Sequence, residues 1–143
     1  MILVDTNVVS ELRKARAGKA DPNVVAWSRS VRPGDLYLSV ITLQEIETGV
    51  LLRERADPRQ GAILRRWLEG KVLRGFAGRV LPVTIPIARR CAALHVPDPR
   101  PARDALIAAT ALVHGLTVVT RNVKEFAPAG VPTCDPWQPL GSP

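Results

Sequence analysis

Four polar residues, Asp5, Glu45, Asp104 and Asn122, each stand at the end of an apolar run that reads as a strand, or at the start of a helix beside one. Carboxylates gathered without local bases repel one another, and a hard divalent cation bound through oxygen relieves that repulsion. Mg²⁺ typically takes one or two carboxylates together with waters and substrate phosphate. Such an ion polarises a phosphoryl oxygen and activates a bound water, which is the chemistry of phosphodiester hydrolysis. Each residue also has a purely structural use. Asp5 ends Met1-Ile-Leu-Val-Asp-Thr-Asn7 and can cap the helix that follows. Thr42-Leu-Gln-Glu45 is a capping-box pattern in which Glu45 reaches back to the Thr42 amide. Asp104 near a helix start favours the helix dipole, and Asn122 can cap a short helix over Val123 to Phe126. The coincidence of the four, rather than any one of them, points to a site. His95 and His114 stand at helix ends and suit capping or surface roles better than general-base work.

The elements that must position these residues can be read along the chain. Ile2, Leu3 and Val4 form an apolar run without alternation, as in a parallel strand buried on both faces. A short helix follows over Asn7 to about Lys14. Asp21-Pro22 combines a cap with a proline at the first helical position and opens a second helix to about Val31. Leu36 to Val40 is the second strand. A third helix begins at Thr42, with Leu43, Ile46 and Val50 as its buried stripe. Asp57-Pro58 opens a fourth helix to about Arg74. Val80 to Val83, interrupted by Pro82, suits a sheet edge. Pro86 opens a fifth helix to about His95, and Ala102 to His114 is a sixth that stops at Gly115. Leu116 to Thr120 is the fourth strand and Val131 to Cys134 the fifth. Strands alternating with helices predict a three-layer α/β domain with a mainly parallel sheet. Ligands of such sheets bind beyond the carboxyl ends of the strands, where all four polar residues would gather.

Composition sets limits on this picture. The chain of 143 residues suits one domain, here residues 1–135, with a proline-rich tail over 136–143. No apolar run approaches the roughly 20 residues of a membrane span, and no signal peptide is apparent, so a cytoplasmic protein without membrane association is expected. Cys91 and Cys134 lie in no metal-ligand spacing and read as reduced core residues, although the sequence leaves a single bridge between them open. The net charge of +7 is concentrated in residues 53–103, which hold twelve Arg and Lys against four Asp and Glu. A basic segment on a near-neutral remainder suggests a polyanionic partner. Arg59, Arg65, Arg66 and Lys71 are the candidate phosphate contacts, against the alternative of a solvated helical surface. The scarcity of aromatic residues disfavours a base-stacking platform.

The segments Ile-Leu-Val-Asp5-Thr-Asn-Val-Val-Ser-Glu-Leu, Ser39-Val-Ile-Thr-Leu-Gln-Glu45-Ile-Glu-Thr-Gly, Arg103-Asp104-Ala-Leu-Ile-Ala-Ala-Thr-Ala and Val119-Thr-Arg-Asn122-Val-Lys-Glu-Phe126 together resemble, in order, the PIN-domain ribonucleases, and most closely the VapC-type toxins of bacterial toxin–antitoxin pairs. The resemblance spans nearly the whole chain. It implies a PIN fold with strand order 3-2-1-4-5, Mg²⁺ or Mn²⁺ at the acidic site, and cleavage of tRNA, rRNA or mRNA. It also implies a homodimer, inhibited by a cognate VapB-type antitoxin whose arm enters the groove. Carried over, Asp5 and Asp104 are the principal metal ligands, Glu45 completes the acidic triad and Asn122 takes the fourth catalytic position. Thr6 and Thr120 correspond to small hydroxyl residues lining the site and contacting substrate. The fourth position is often aspartate in that family, so Asn122 removes one formal charge. Glu125 could supply it if Asn122 to Phe126 is helical.

Two other classes compete. A catalytically silent PIN-fold module that only binds nucleic acid or regulates would gain nothing from three mutually repelling carboxylates. A Mg²⁺-dependent phosphatase with an aspartyl nucleophile usually wants a second acid two residues after the first, and Asn7 holds that place.

Overall fold

The computed structural model of the chain describes residues 1–141. Its centre is β1 (Ile2–Val4), a strand with a parallel neighbour on each side. Leu3 packs on one face of the sheet with Ile107, Ala108, Val118 and Phe126, and Val4 on the other with Val8, Val24, Leu38 and Val119. Successive strand residues point to opposite faces, so a run with no polar alternation is what a middle layer covered on both sides requires.

The chain runs from β1 through α1 (Thr6–Arg13), α2 (Pro22–Ser30), β2 (Leu36–Ser39), α3 (Val40–Ala56) and α4 (Pro58–Trp67) to β3 (Val80–Leu81). It continues through α5 (Ile85–Leu94), α6 (Ala102–His114), β4 (Thr117–Val119), α7 (Val123–Phe126) and β5 (Thr133–Cys134). The sheet order is β3-β2-β1-β4-β5 with all four pairings parallel, as the resemblance implied. Because β2 lies on one side of β1 and β4 on the other, the strand order reverses at β1. That opens a crevice beyond the carboxyl ends of β1 and β4. Among the described residues no helix is long and apolar enough to cross a membrane.

The expected boundaries hold with one consequential change. α3 begins at Val40, not at Thr42, because the Ser39 hydroxyl caps it by accepting the Ile41 N–H at 3.0 Å. Thr42 is fully buried inside the helix, so the capping box expected between Thr42 and Glu45 does not form. Glu45 thereby falls one turn further along α3, on a side chain free for other use. The fourth helix reaches the expected length, but Leu68–Leu73 continues it as a π-helical turn. Val80 and Leu81 form the edge strand, whose pairing is steadied by Arg79. The Arg79 guanidinium donates to the carbonyls of Pro33, Leu36 and Gly75 and lies over the Phe76 ring.

Both cysteines are free, so the bridge left open by the sequence is absent, and only Cys91 is in the core. Cys134 is exposed because it ends the edge strand β5. Beyond β5 the chain stays against the domain: Pro136 is buried, and the Trp137 carbonyl accepts the Asn23 amide at 2.8 Å. The last two residues of the segment read as a tail, 142 and 143, lie outside the described residues.

α3 and α4 form a tight helical hairpin, and Asp57 both ends the first helix and caps the second. A Cβ on Gly61 would stand 2.3 Å from the Glu54 Cα, so the hairpin closes only over a glycine. Gly61→Ala should therefore lower stability by about 1–3 kcal/mol. Gly49→Ala, whose new methyl meets open space within α3, should raise it by about 0.5–1 kcal/mol. Urea denaturation of the two variants checks both signs, and equal midpoints would contradict the hairpin geometry.

Candidate active site

Asp5 takes the capping role and also stands at the mouth of the crevice. Its Oδ1 accepts the Thr6 N–H at 2.8 Å, capping α1. Its Oδ2 accepts the Thr120 hydroxyl at 2.7 Å and the Asn7 side-chain amide at 3.3 Å. The carboxyl is only 5% exposed, and a buried charge is tolerable only when hydrogen bonds compensate for the lost water. Thr120 is fully buried. It donates its single proton to Asp5 and accepts the Asn122 N–H at 3.0 Å. Asn7 completes the frame, because its Oδ1 accepts the Arg121 N–H at 3.2 Å. Asp5, Asn7 and Thr120 thus tie the end of β1 to the end of β4.

Thr120, fully buried, is not among the residues that line the cleft; its hydroxyl orients Asp5 from behind. Thr6 does line the cleft. In the sequence Asn7 stands out only as the place where a phosphatase would want an acid. Its role could have been suspected from an amide within one helical turn of Asp5, but its partner 114 positions away is invisible in the sequence.

Asp5, Thr6, Asn7, Glu45, Pro101, Ala102, Arg103, Asp104 and Asn122 line one open cleft of about 590 Å³ at the crevice between β1 and β4. The four polar residues singled out in the sequence are therefore together. Burial, followed by the charge of Asp5, raises the Glu45 pKa; Asp104 adds to the rise and the Arg103 guanidinium opposes it. Asp104 is likewise raised by burial first, then by Asp5 and Glu125. The exposed Glu125 carboxylate is thus felt at the cleft without lining it. Asn122 stands at the N-terminus of α7, but its side chain makes no capping bond, so the expected capping role is not taken and the amide remains at the cleft.

The donor set suits a hard divalent cation: three carboxylates, two amides and a hydroxyl, with no sulfur or imidazole. The buried Thr6 Oγ1 in the same cleft makes no well-formed hydrogen bond among the described residues, although it stands close enough to Glu45 to pull that pKa down. Also among them, no three Asp, Glu, His or Cys side chains close into a ready-made ligand shell.

The basic residues fall elsewhere. Arg59 and Arg66 are exposed on α4, and Lys71 is exposed on the π-helical turn. None of them lines the acidic cleft. Arg65 is not a free cation: it donates to Glu54 at 2.8 and 3.2 Å and to Glu47 at 2.6 Å, pinning α4 to α3. Lys71 instead lines a second groove of about 320 Å³ with Val9, Leu12, Trp27, Trp67 and Arg13. His95 is committed as well, its Nδ1 accepting the Arg100 N–H at 3.1 Å. His114 lies exposed at the far end of α6.

With this geometry in place, comparison with known proteins is decisive. The PIN domain family model matches residues 2–129. The chain is 39% identical to "VapC ribonuclease Y4jK" of Sinorhizobium fredii, over 97% of this chain and 99% of that protein. It is 40% identical to "Toxin FitB" of Neisseria gonorrhoeae, over 96% and 99%. The crystal structure of FitAcB from Neisseria gonorrhoeae superposes with a TM-score of 0.87 at 38% identity, covering 96% of this chain and 99% of that one. The chain belongs to the PIN-domain family. Within that family its near-full-length relatives place it with the VapC-type toxins.

Two outcomes follow from the site. The raised Glu45 and Asp104 pKa values mean that the folded, metal-free protein binds protons more readily than the unfolded chain. Their contribution is fully present below the ordinary carboxylate range near pH ~4 and is lost as pH rises through the raised folded values. In chelator, Asp104→Asn should therefore be more stable than the parent at neutral pH, with the difference shrinking on acidification. Denaturant titrations at several pH values test this, and a pH-independent difference would refute it. Arg65→Ala should lower the melting temperature, since its guanidinium ties α4 to α3 through Glu47 and Glu54, and an unchanged melting temperature would contradict that role.

Proposed function

We propose that this chain is the toxin of a toxin–antitoxin pair, an endoribonuclease that hydrolyses RNA phosphodiester bonds with Mg²⁺, or Mn²⁺, at the Asp5–Glu45–Asp104 cleft. The observation that carries the proposal is the convergence of three carboxylates on one cleft at the reversal point of the sheet. Support comes from full-length relatives named as a ribonuclease and a toxin.

Asp5, Glu45 and Asp104 would hold the divalent ion, which supplies polarisation of the phosphoryl oxygen and activation of water when bound. Asp5 is pre-oriented by Thr6, Asn7 and Thr120, which leave one lone pair, on Oδ1, for a ligand. Asn122 offers a neutral oxygen or N–H groups for water or substrate without adding charge. The engaged ring of His95 and the distant His114 leave no histidine pair for attack by the 2′-hydroxyl.

A silent binding module is disfavoured by the same carboxylates, since a site that only bound RNA would be weakened by them. The phosphatase alternative is disfavoured because Asn7 is used to brace Asp5 against the β4 turn. The inhibitory partner would be a VapB-type antitoxin. The groove floored by Val9, Leu12, Trp27 and Trp67, with Arg13, Arg16 and Lys71 at its rim, suits an amphipathic acidic segment. A homodimer fits the exposed apolar side chains Ile85 and Val113, which share one surface of α5 and α6.

The test is purified protein with total RNA, with Mg²⁺ and with chelator, followed by mapping of the cut ends. Ends carrying 5′-phosphate and 3′-hydroxyl are expected, with cleavage lost in chelator; 2′,3′-cyclic phosphate formed in chelator would sink the proposal. Asp5→Asn and Asp104→Asn should each reduce cleavage by roughly a hundredfold or more, the scale of losing a group that stabilises transition-state charge. Asn122→Asp should lower the Mg²⁺ needed for half-maximal rate, and Asn122→Ala should reduce the rate more than it changes that requirement. Glu125→Gln should do little; a strong rise in its metal requirement would transfer the fourth position to Glu125.

A further inference from the structure

The cleft holds one residue that the acidic reading does not use. Arg103 immediately precedes Asp104 in the first turn of α6, and both line the cleft. Asp104 is half-buried, whereas the Arg103 side chain is 66% exposed at the rim. Its Nη1 stands 3.8 Å from Glu45 Oε2, too far for a hydrogen bond, and a pair this exposed adds little to stability. Arg65, Arg79 and Arg100 each donate to two or more partners. No hydrogen bond of that kind holds Arg103 among the described residues. It is also the basic residue among those that line the cleft.

An acid-lined cleft repels the substrate proposed for it. Every phosphate of a strand approaching Glu45 and Asp104 carries a negative charge, and the exposed arginines of α4 are not at this cleft to offset it. A guanidinium at the rim, planar and with five donors, matches a phosphate in two-point geometry. α6 starts at the same wall, with Pro101 at its cap position and no side-chain cap. The positive end of the helix dipole therefore adds to the Arg103 charge there.

We propose that Arg103 is a substrate-binding residue that grips the RNA backbone at a phosphate neighbouring the scissile one, its guanidinium turning from Glu45 to the strand as the strand enters. The proposal rests on the nuclease reading for its substrate but makes a separate claim about binding. The sequence alone offers Arg59, Arg65, Arg66 and Lys71 as phosphate contacts. The geometry moves the phosphate contact from α4 to the first turn of α6.

The test uses the full chain and end-labelled RNA of mixed sequence. Binding is measured in Mg²⁺ across a salt series in an Asp104→Asn background, so that cleavage does not interfere. Arg103→Ala should weaken binding about tenfold, the scale of one charge-assisted contact. It should also flatten the log–log salt slope by about 0.7. Arg103→Lys should keep the slope and recover only part of the affinity, because an ammonium keeps the charge but not the fork. In the active background Arg103→Ala should raise KM more than it lowers kcat, with an unchanged melting temperature. An unchanged slope and KM would overturn the proposal. So would a lower kcat with a higher Mg²⁺ requirement at unchanged slope, since Arg103 would then act through Glu45. A parent chain that binds RNA but never cuts it would end the nuclease reading while the slope comparison still decides Arg103.

Discussion

The hydrogen bond from the Thr120 hydroxyl to the Asp5 carboxylate, 2.7 Å long and buried, is the contact on which the rest of the site depends. It joins residues 115 positions apart at the ends of the two strands that bound the crevice. A charge at this depth would cost several kcal/mol if left unpaired. One hydrogen bond to a charged group returns about 1.5–3 kcal/mol, and Asp5 receives three donors, from Thr6, Asn7 and Thr120. The side chain is held in one orientation before any ligand is present. The parallel register of β1 and β4, Val4 beside Val119, places the two partners side by side at the next residue.

Around this fixed charge the other acids are held under electrostatic tension. Glu45 and Asp104 are each pushed toward the protonated form, first by burial and then by Asp5. They are supported by separate helices on either side of the crevice, α3 and α6, whose packing is set by the core rather than by the site. The fold therefore supplies the rigidity that keeps repelling groups together. The guanidinium of Arg103 supplies part of the compensation at Glu45, and the proposed divalent ion would supply the rest. Stability and the proposed chemistry pull in opposite directions here, as is common where function concentrates like charges.

The basic character of the chain divides in the structure into parts with different work. Arg65 locks the α3–α4 hairpin, Arg79 secures the edge strand, and Arg100 donates to the Leu94 and Pro128 carbonyls. Arg13 lies over the Trp67 ring beside the second groove, and Arg121 over Trp137. A positive segment seen in a sequence is thus a poor map of a polyanion site, because arginine is also the side chain best able to satisfy several carbonyls or carboxylates at once.

What the sequence determined by itself was local. The unalternated run Ile2 to Val4 specified a strand covered on both faces, Asp21-Pro22 and Asp57-Pro58 specified helix starts, and Gly115 specified a helix stop with φ 68°. Those patterns act over one or two turns, and the alternation of strands and helices then left little choice but a parallel three-layer domain. The order of the four polar motifs, with their resemblance to a known family, placed Asp5, Glu45, Asp104 and Asn122 on one edge of the sheet. Tertiary structure decided what those residues touch. The use of Thr120 as a brace, Ser39 displacing Thr42 as the α3 cap, the capture of Arg65 by two glutamates and the presence of Arg103 at the rim all depend on partners distant in sequence or on a shift of one helical turn. Periodicity and capping signals carry no information at that range, because hydrogen bonding and charge pairing are settled by distances that only the packed sheet and helices set.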